Sequence, residues 1–182
     1  NYPESIRTER LLLRRWRPED REPFAKLNAD PRVLEFLPGA LTREESDARI
    51  DEFERHFDQH GFGRWAVEVP DVAPFIGFVG LSIPQFEAHF LPGVEVSWRI
   101  DAEHWNRGYA SEAALASVQF GFTSLQLGEV VSFTVPDNLA SRRVMEKIGM
   151  TRDVEGDFDH PILPEGHRLR RHVLYRLAST EQ

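Results

Sequence analysis

The stretch from Val94 to Ala113 contains the residues of this sequence best suited to hold a ligand through main-chain atoms. It predicts a strand that ends near Asp101, a turn that contains Gly108, and a helix that begins there. Glycine lets backbone N–H groups approach a ligand without hindrance from a Cβ atom. A helix N-terminus adds free donors and the positive end of the helix dipole. The sequence therefore predicts that this turn binds a phosphate-bearing cofactor.

Composition narrows the classes of protein that this chain can be. Its 182 residues are enough to bury a hydrophobic core, and the absence of cysteine excludes disulfides, thiolate metal sites and cysteine nucleophiles. The net charge of -8 argues against general nucleic-acid binding and is compatible with a cationic or amine-bearing partner. No apolar run approaches the roughly 20 residues of a membrane span. The first ten residues lack the apolar core of a signal peptide. We therefore expect a cytoplasmic protein that binds neither nucleic acid nor membrane.

Hydrophobic periodicity and helix-end signals predict an α+β fold with about seven strands. Thr42 and Glu45 form a capping-box pattern at the start of the longest predicted helix, and Gly61 ends that helix. The predicted strands are 9–17, 62–69, 75–83, 93–101, 129–135, 150–154 and 168–177. The predicted helices are 18–28, 31–37, 42–59, 108–125 and 138–148, and a loop covers 157–166.

Two segments carry a resemblance to a known family. Glu95–Ala113 contains a Trp-x-x-Gly-Tyr-Ala motif at 105–110, and Val135–Met150 follows it at a matching spacing. Together they resemble the GNAT superfamily of acyl-CoA-dependent N-acetyltransferases, and most closely its ribosomal-protein-alanine acetyltransferase-like (RimJ/RimL-like) branch. The resemblance covers nearly the whole chain and implies one domain over residues 1–182. It implies a mixed, mostly antiparallel sheet of about seven strands flanked by helices, with acetyl-CoA as cosubstrate and no metal.

The resemblance also assigns residues to the cofactor. Backbone groups of Trp98, Arg99 and Ile100 would contact the pantetheine arm, and the turn 107–111 would hold the phosphates. Local positive charge for an anionic cofactor could come from Arg107, Arg142, Arg143 and Lys147. The expected cofactor-binding residues are Trp98, Arg99, Ile100, Arg107, Gly108, Tyr109, Ala110, Ser111, Asn138 and Arg143.

Two positions depart from the pattern that the family usually shows. Trp105 stands where Gln or Arg is usual, and we interpret it as a packing residue. Met145 stands where many members have a tyrosine that protonates the departing thiolate, and a thioether has no proton to give. Ser141, one turn into the same helix, is the nearest hydroxyl and becomes the candidate acid. Asn138 could lie near the sulfur, cap the helix, or do both.

Glu95 is the candidate general base. A protonated amine must lose a proton before it attacks a thioester, and the resemblance gives Glu95 a place on the strand that flanks the cofactor. It would accept the proton directly or through a water molecule. The alternative is a strand glutamate that faces solvent or pairs with an arginine. The expected catalytic residues are therefore Glu95, Ser141 and Asn138.

These assignments predict an N-acetyltransferase that moves acetyl from acetyl-CoA to a primary amine by direct attack in a ternary complex. The acceptor would be a protein N-terminus or an amine-bearing small molecule. The alternative is a non-catalytic acyl-CoA-binding or regulatory module with a degenerate site, which Met145 favours. A nucleotide-binding protein is disfavoured, because the P-loop and Rossmann glycine patterns are absent. An edge strand near the C-terminus could pair across a homodimer.

The histidines and aromatic residues allow more than one interpretation. One group of residues could suggest a metal site, but the spacing between its members matches no metal-binding motif. We expect this group to form a surface loop or a wall of the acceptor site: Asp157, Asp159, His160, His167 and His172. Four aromatic residues are expected to pack in the core, although some of them could line the acceptor pocket instead: Phe36, Trp65, Phe86 and Phe90.

Overall fold

An eight-stranded sheet forms the centre of the fold in the computed structural model, which describes residues 2–180. The strands follow the order β1-β2-β3-β4-β5-β6-β8-β7, and every neighbouring pair is antiparallel except β5 with β6. The strands are β1 Ile6–Arg7, β2 Leu12–Arg14, β3 Arg64–Val69, β4 Ala73–Ser82, β5 Glu95–Ile100, β6 Glu129–Thr134, β7 Thr151–Asp159 and β8 Arg171–Ala178. The predicted α+β class and the mixed, mostly antiparallel sheet are confirmed.

Five α-helices of the described chain flank this sheet. Capping fixes the longest one, because the Thr42 hydroxyl accepts from Glu45 N–H and the Glu45 carboxylate accepts from Thr42 N–H, while Gly61 ends it at φ 77°. Short 3₁₀ turns at Pro18–Asp20 and Ala102–His104 precede α1 and α4. The helices are α1 Arg21–Leu27, α2 Pro31–Leu34, α3 Arg43–His60, α4 Tyr109–Thr123 and α5 Leu139–Lys147.

The N-terminal segment differs from the single strand predicted over 9–17. Thr8 closes a turn, since its N–H donates to Leu11 O and its hydroxyl accepts from Leu11 N–H at 3.0 Å. This turn creates the additional strand β1, which pairs with β2. The expected strand then ends at Arg14, because Arg15 turns to bind Glu54 of α3. The predicted count of about seven strands therefore becomes eight.

The C-terminal part also departs from the prediction. Strand β7 continues to Asp159 instead of ending near residue 154, so the predicted loop begins three residues later. A register shift between Asp153 and Phe158 interrupts its pairing with β8. β7 lies at the free edge of the sheet, which agrees with the predicted edge strand. The homodimer itself stays a prediction.

Helices pack on both faces of the sheet. On one face, the Phe78 ring of β4 contacts Phe24 of α1 and Phe53 of α3, with centroids 6.1 and 5.2 Å apart. On the other face, Trp65 of β3 meets Phe120 of α4 edge-on at 5.3 Å. We call these the α1/α3 face and the α4 face. Among residues 2–180 no helix has the length and apolar character to cross a bilayer.

Candidate active site

The candidate site begins where β5 and β6 separate. Their register holds a single pair, Glu95 with Val131. Ser132 Oγ still donates to Val96 O at 2.9 Å, so the carbonyl of Val96 points toward β6. Backbone groups alternate along a strand, and the N–H and C=O of Trp98 therefore point the same way, into the gap. An extended ligand can pair with them as a further strand would.

This gap opens into a cavity of about 390 Å³. The ends of β5, α4 and α5 form its walls, and a segment after Asp30 closes it with Val33, Phe36 and Leu37. Arg107 and Glu95 do not line the cavity. The predicted site residues that line it are Trp98, Arg99, Ile100, Gly108, Tyr109, Ala110, Ser111, Asn138, Ser141 and Arg143.

The glycine turn presents a row of backbone donors to the cavity. Gly108 is the residue before α4 and has φ 79°, in the left-handed region that side chains disfavour. Glu112 N–H makes the first intrahelical bond, to Gly108 O at 3.0 Å. The N–H groups of residues 109–111 precede it and lack an acceptor one turn earlier. This arrangement is suited to an anionic group.

Arg10 holds this turn from outside the cavity. Its Nη1 donates to Arg107 O at 2.9 Å, and its Nε donates to Glu112 at 2.8 Å. The guanidinium also lies 4.7 Å from the centroid of the Tyr109 ring. Thr8 Oγ1 donates to the second oxygen of Glu112 at 2.6 Å. Arg107 therefore contributes a carbonyl to the support of the turn, while its exposed side chain lies away from the cavity wall.

Trp105 supports the same turn in a way that differs from the predicted packing. Its indole Nε1 donates to Ile100 O at 2.8 Å, and 42% of the residue is exposed. It therefore ties the turn to the end of β5 through a hydrogen bond and lines the cavity.

Asn138 and Ser141 lie together at the N-terminus of α5. The Asn138 side-chain oxygen accepts from Ser141 N–H at 3.3 Å, and its Nδ2 donates to Thr134 Oγ1 at 3.1 Å. Asn138 therefore caps the helix, as one of the two predicted roles requires. The Ser141 hydroxyl has no acceptor of its own among the described residues and lies on the cavity wall. Met145 is 1% exposed and belongs to the hydrophobic core.

The basic residues of α5 divide into two groups. Arg143 and Lys147 line the cavity, where they can neutralise anionic groups. Arg142 turns away, because its Nε donates to Tyr175 Oη at 3.1 Å and its Nη1 donates to Pro136 O at 2.9 Å. Two of the four side chains predicted to supply positive charge to the cofactor therefore line the cavity.

Glu95 lies on the α1/α3 face, at the last point where β5 and β6 pair. Burial raises the pKa of its carboxyl to about 7, and the Arg64 guanidinium opposes this shift from 3.8 Å. Ser82 is its register partner on β4, and the Ser82 hydroxyl is buried without a hydrogen-bond partner in the described chain. A carboxylate with a pKa near neutrality is suited to accept a proton from an amine.

Four further polar residues meet on this face, and sequence reasoning missed their side-chain contacts. Arg64 Nε donates to Ser97 Oγ at 3.1 Å, across Gly80, which lies between them in the register. Arg99 Nη1 donates to Asn28 Oδ1 at 2.8 Å. The alternation of polar residues at 95, 97 and 99 of a predicted strand could have placed Ser97 and Arg99 on the face of Glu95. Arg64 and Asn28 come from other elements and have no such local signal.

An aromatic cluster stands on the same face beyond β6. Its rings pack closely, with Phe86 and His160 centroids 4.4 Å apart and His160 and His172 centroids 5.1 Å apart. Burial, with His172 nearby, lowers the pKa of His160 to about 4. No group of three potential ligands suited to a metal occurs within residues 2–180. We define the cluster as Phe86, Phe90, Phe133, Phe158, His160 and His172.

Comparisons with known proteins agree with this geometry. The family model of an acetyltransferase (GNAT) domain matches residues 10–151. The uncharacterized N-acetyltransferase YnaD of Bacillus subtilis is 28% identical over 97% of this chain and 98% of its own. A GNAT-family acetyltransferase from Bacillus anthracis superposes with a TM-score of 0.78 at 28% identity, over 96% of this chain and 98% of that chain. Mycobacterium smegmatis RimJ in complex with CoA-disulfide shares the fold, with a TM-score of 0.72 at 20% identity over 93% and 82%.

Proposed function

Because this chain belongs to the GNAT family of acetyl-CoA-dependent acetyltransferases, we propose that it acetylates a primary amine by direct attack in a ternary complex. The acceptor is a small molecule or a protein N-terminus, and residues 1–182 act as one domain. One observation carries the proposal. The gap between β5 and β6 has a row of backbone donors at one end and a buried carboxylate with a pKa of about 7 at the other.

The residues present suit acetyl-CoA, which supplies the activated acetyl group. The N–H groups of residues 109–111 and the side chains of Arg143 and Lys147 can bind its phosphates. The free backbone groups of Trp98 can pair with the amides of the pantetheine arm. The Gly108 conformation is the specific feature that supports this fit, because it exposes consecutive N–H groups on one side of the turn.

Glu95 and Ser141 divide the proton transfers. The reaction forms a C–N bond and breaks a C–S bond, so the amine loses a proton and the sulfur gains one. Glu95 accepts the amine proton, through water because it lies about 10 Å along β5 from Trp98. Ser141, on the cavity wall, donates toward the sulfur, and the N-terminus of α5 stabilises the negative charge that develops there.

Thiol release from acetyl-CoA, measured with and without a panel of amines, tests the proposed function. We expect release that depends on the amine, and initial-rate lines that intersect when both substrates are varied. Parallel lines would instead indicate a covalent acetyl-enzyme and would refute direct attack. Binding of acetyl-CoA without amine-dependent release would refute the acetyltransferase proposal in favour of a binding module.

A further inference from the structure

Resting on the proposed function, we propose that the acceptor is an apolar amino acid whose free carboxylate binds Arg64 and Arg99. Its amino group would face Glu95, and its side chain would lie toward the aromatic cluster. Glu95 and Arg99 lie four positions apart on β5, an even spacing, so their side chains share the α1/α3 face. Arg64 reaches the same face from β3, where it contacts Ser97.

A buried arginine elsewhere in the fold shows how the protein compensates a guanidinium with carboxylates, whereas Arg64 and Arg99 are part-buried and have no hydrogen-bonded carboxylate in the described chain. Arg14 is 5% exposed and binds two carboxylates: Asp20 at 2.8 and 3.0 Å, and Glu68 at 3.0 Å. This arginine is fully compensated within the fold, as a buried charge requires. Arg64 and Arg99 lack this compensation. A shared deficit of negative charge on the α1/α3 face, next to the cavity that Arg99 lines, points to an anionic ligand.

The partners of the two arginines are mostly neutral. Arg99 donates to the amide oxygen of Asn28, and no carboxylate of the described chain lies within 4 Å of it. Burial and the neighbouring cations of Arg64 and Arg49 lower the pKa of Arg99 to about 10. Among the described residues, Arg64 contacts the Glu95 carboxylate at 3.8 Å and the Ser97 hydroxyl at 3.1 Å. The uncharged rings of Phe53 and Phe78 lie 5.2 and 5.8 Å from its guanidinium carbon.

Residues of α3 do not remove this deficit. Burial lowers the pKa of Arg64, and Arg49 and Glu52 shift this pKa in opposite directions. Arg49 and Glu52 pair with each other at 3.6 Å. Three cations therefore face two carboxylates in this region, and burial holds the pKa of one of these, Glu95, near neutrality. A ligand carboxylate restores the balance.

The arrangement also has room for the rest of an amino acid. Arg99 lines the cavity, so an acceptor that enters this cavity would come next to Arg99. Val131, the register partner of Glu95, packs in the apolar group that contains Phe90 and Phe158. The aromatic cluster thus adjoins Glu95 from the side opposite to the arginines. An apolar side chain is favoured there.

A matched set of acceptors tests this inference: phenylalanine, phenylalaninamide and phenethylamine, each with acetyl-CoA. We expect kcat/KM for phenylalanine to exceed that for phenylalaninamide by roughly 10- to 100-fold, the range of a charge-assisted hydrogen bond. Amine reactivity cannot produce this preference, because the ammonium group of phenylalaninamide loses its proton more readily than that of phenylalanine. Equal rates, or a preference for the amide, would overturn the inference.

Two variants test whether Arg99 is responsible for the preference for a free carboxylate. Arg99→Gln should reduce the ratio of phenylalanine to phenylalaninamide toward one, because the rate with phenylalanine falls much more than the rate with phenylalaninamide. Arg55→Gln, at an exposed position of α3, is the matched control and should keep the wild-type ratio. An Arg99→Gln variant that lowers both rates equally would show a structural role and would contradict carboxylate binding.

Binding of reaction products separates this inference from the proposed function. Calorimetric titration of the CoA-loaded protein with N-acetylphenylalanine and with its amide needs no turnover. Tighter binding of the acid, lost in Arg99→Gln, supports carboxylate recognition. Amine-dependent thiol release without any preference for a carboxylate would leave the acetyltransferase standing and refute this inference alone. If no amine increases thiol release and neither product binds, both proposals fail.

Discussion

Replacement of Glu95 by glutamine should stabilise the protein at alkaline pH and remove most of its activity. The carboxyl of Glu95 has an ordinary pKa of 4.5, and burial raises it to about 7 in the folded chain, with Arg64 acting in the opposite direction. Because the folded pKa is the higher one, the folded state binds the proton more tightly. Stability is therefore greatest at low pH and is lost as the pH rises from about 4.5 through about 7.

The magnitude follows from the two pKa values. At about 1.36 kcal/mol per pKa unit, ionisation of Glu95 costs about 3 kcal/mol once the pH is well above 7. Part of this cost is already present at pH 5, where the unfolded chain is mostly ionised, so the change between pH 5 and pH 9 is about 2.5 kcal/mol. Glutamine keeps the shape and does not ionise. The difference in the free energy of unfolding between Glu95→Gln and wild type should therefore increase by about 2.5 kcal/mol from pH 5 to pH 9, in favour of the variant.

Chemical denaturation at a series of pH values measures this difference. Glu165→Gln, which alters an exposed carboxylate, is the matched control and should follow the wild-type curve. With one amine acceptor for all proteins, Glu95→Gln should lower kcat/KM by about 100-fold or more and lose the ionisation near pH 7, while CoA binding persists. Stability curves that stay parallel between Glu95→Gln and wild type would refute desolvation of this carboxyl, and with it the reason for its role as base.

Three further substitutions test the cofactor end of the site. Gly108→Ala should weaken CoA binding, measured by calorimetry, at least about tenfold, or about 1.4 kcal/mol. Gly166 has a similar φ of 81° in a loop, so Gly166→Ala is the control and should leave the affinity for CoA unchanged. Equal effects of the two substitutions would show that backbone strain alone matters. Ser141→Ala should lower kcat by about 100-fold with a smaller change in the KM for acetyl-CoA, and full turnover would exclude it as the acid. Arg10→Ala should raise the KM for acetyl-CoA with little change in kcat, because it releases the turn, and a KM equal to that of the exposed control Arg7→Ala would contradict this role.

The sequence predicted those parts of the fold that local signals determine. The capping box of Thr42 and the left-handed Gly61 set the ends of α3, and both involve residues within four positions of the helix. The glycine turn before α4 was predictable for the same reason. The N-terminal hairpin was not, because its turn depends on one hydroxyl, that of Thr8, in a stretch that otherwise has the composition of a strand.

The acceptor side of the site could not be predicted because its parts meet through the sheet. Arg64 and Ser97 lie 33 residues apart and touch only because both strands pair with β4 around Gly80. The sequence also could not predict the deficit of negative charge around Arg99. The net charge of -8 describes the chain as a whole and not the surroundings of one side chain.

A crystal structure of the protein with CoA tests the central claim most directly. We predict that CoA lies in the gap between β5 and β6, with its pyrophosphate bound by the N–H groups of residues 109–111 and its pantetheine amides paired with the backbone of Trp98. The sulfur should lie within hydrogen-bonding distance of Ser141 Oγ, and it should open toward the face of Glu95. CoA bound outside this gap, or a sulfur closed off from that face, would contradict the account.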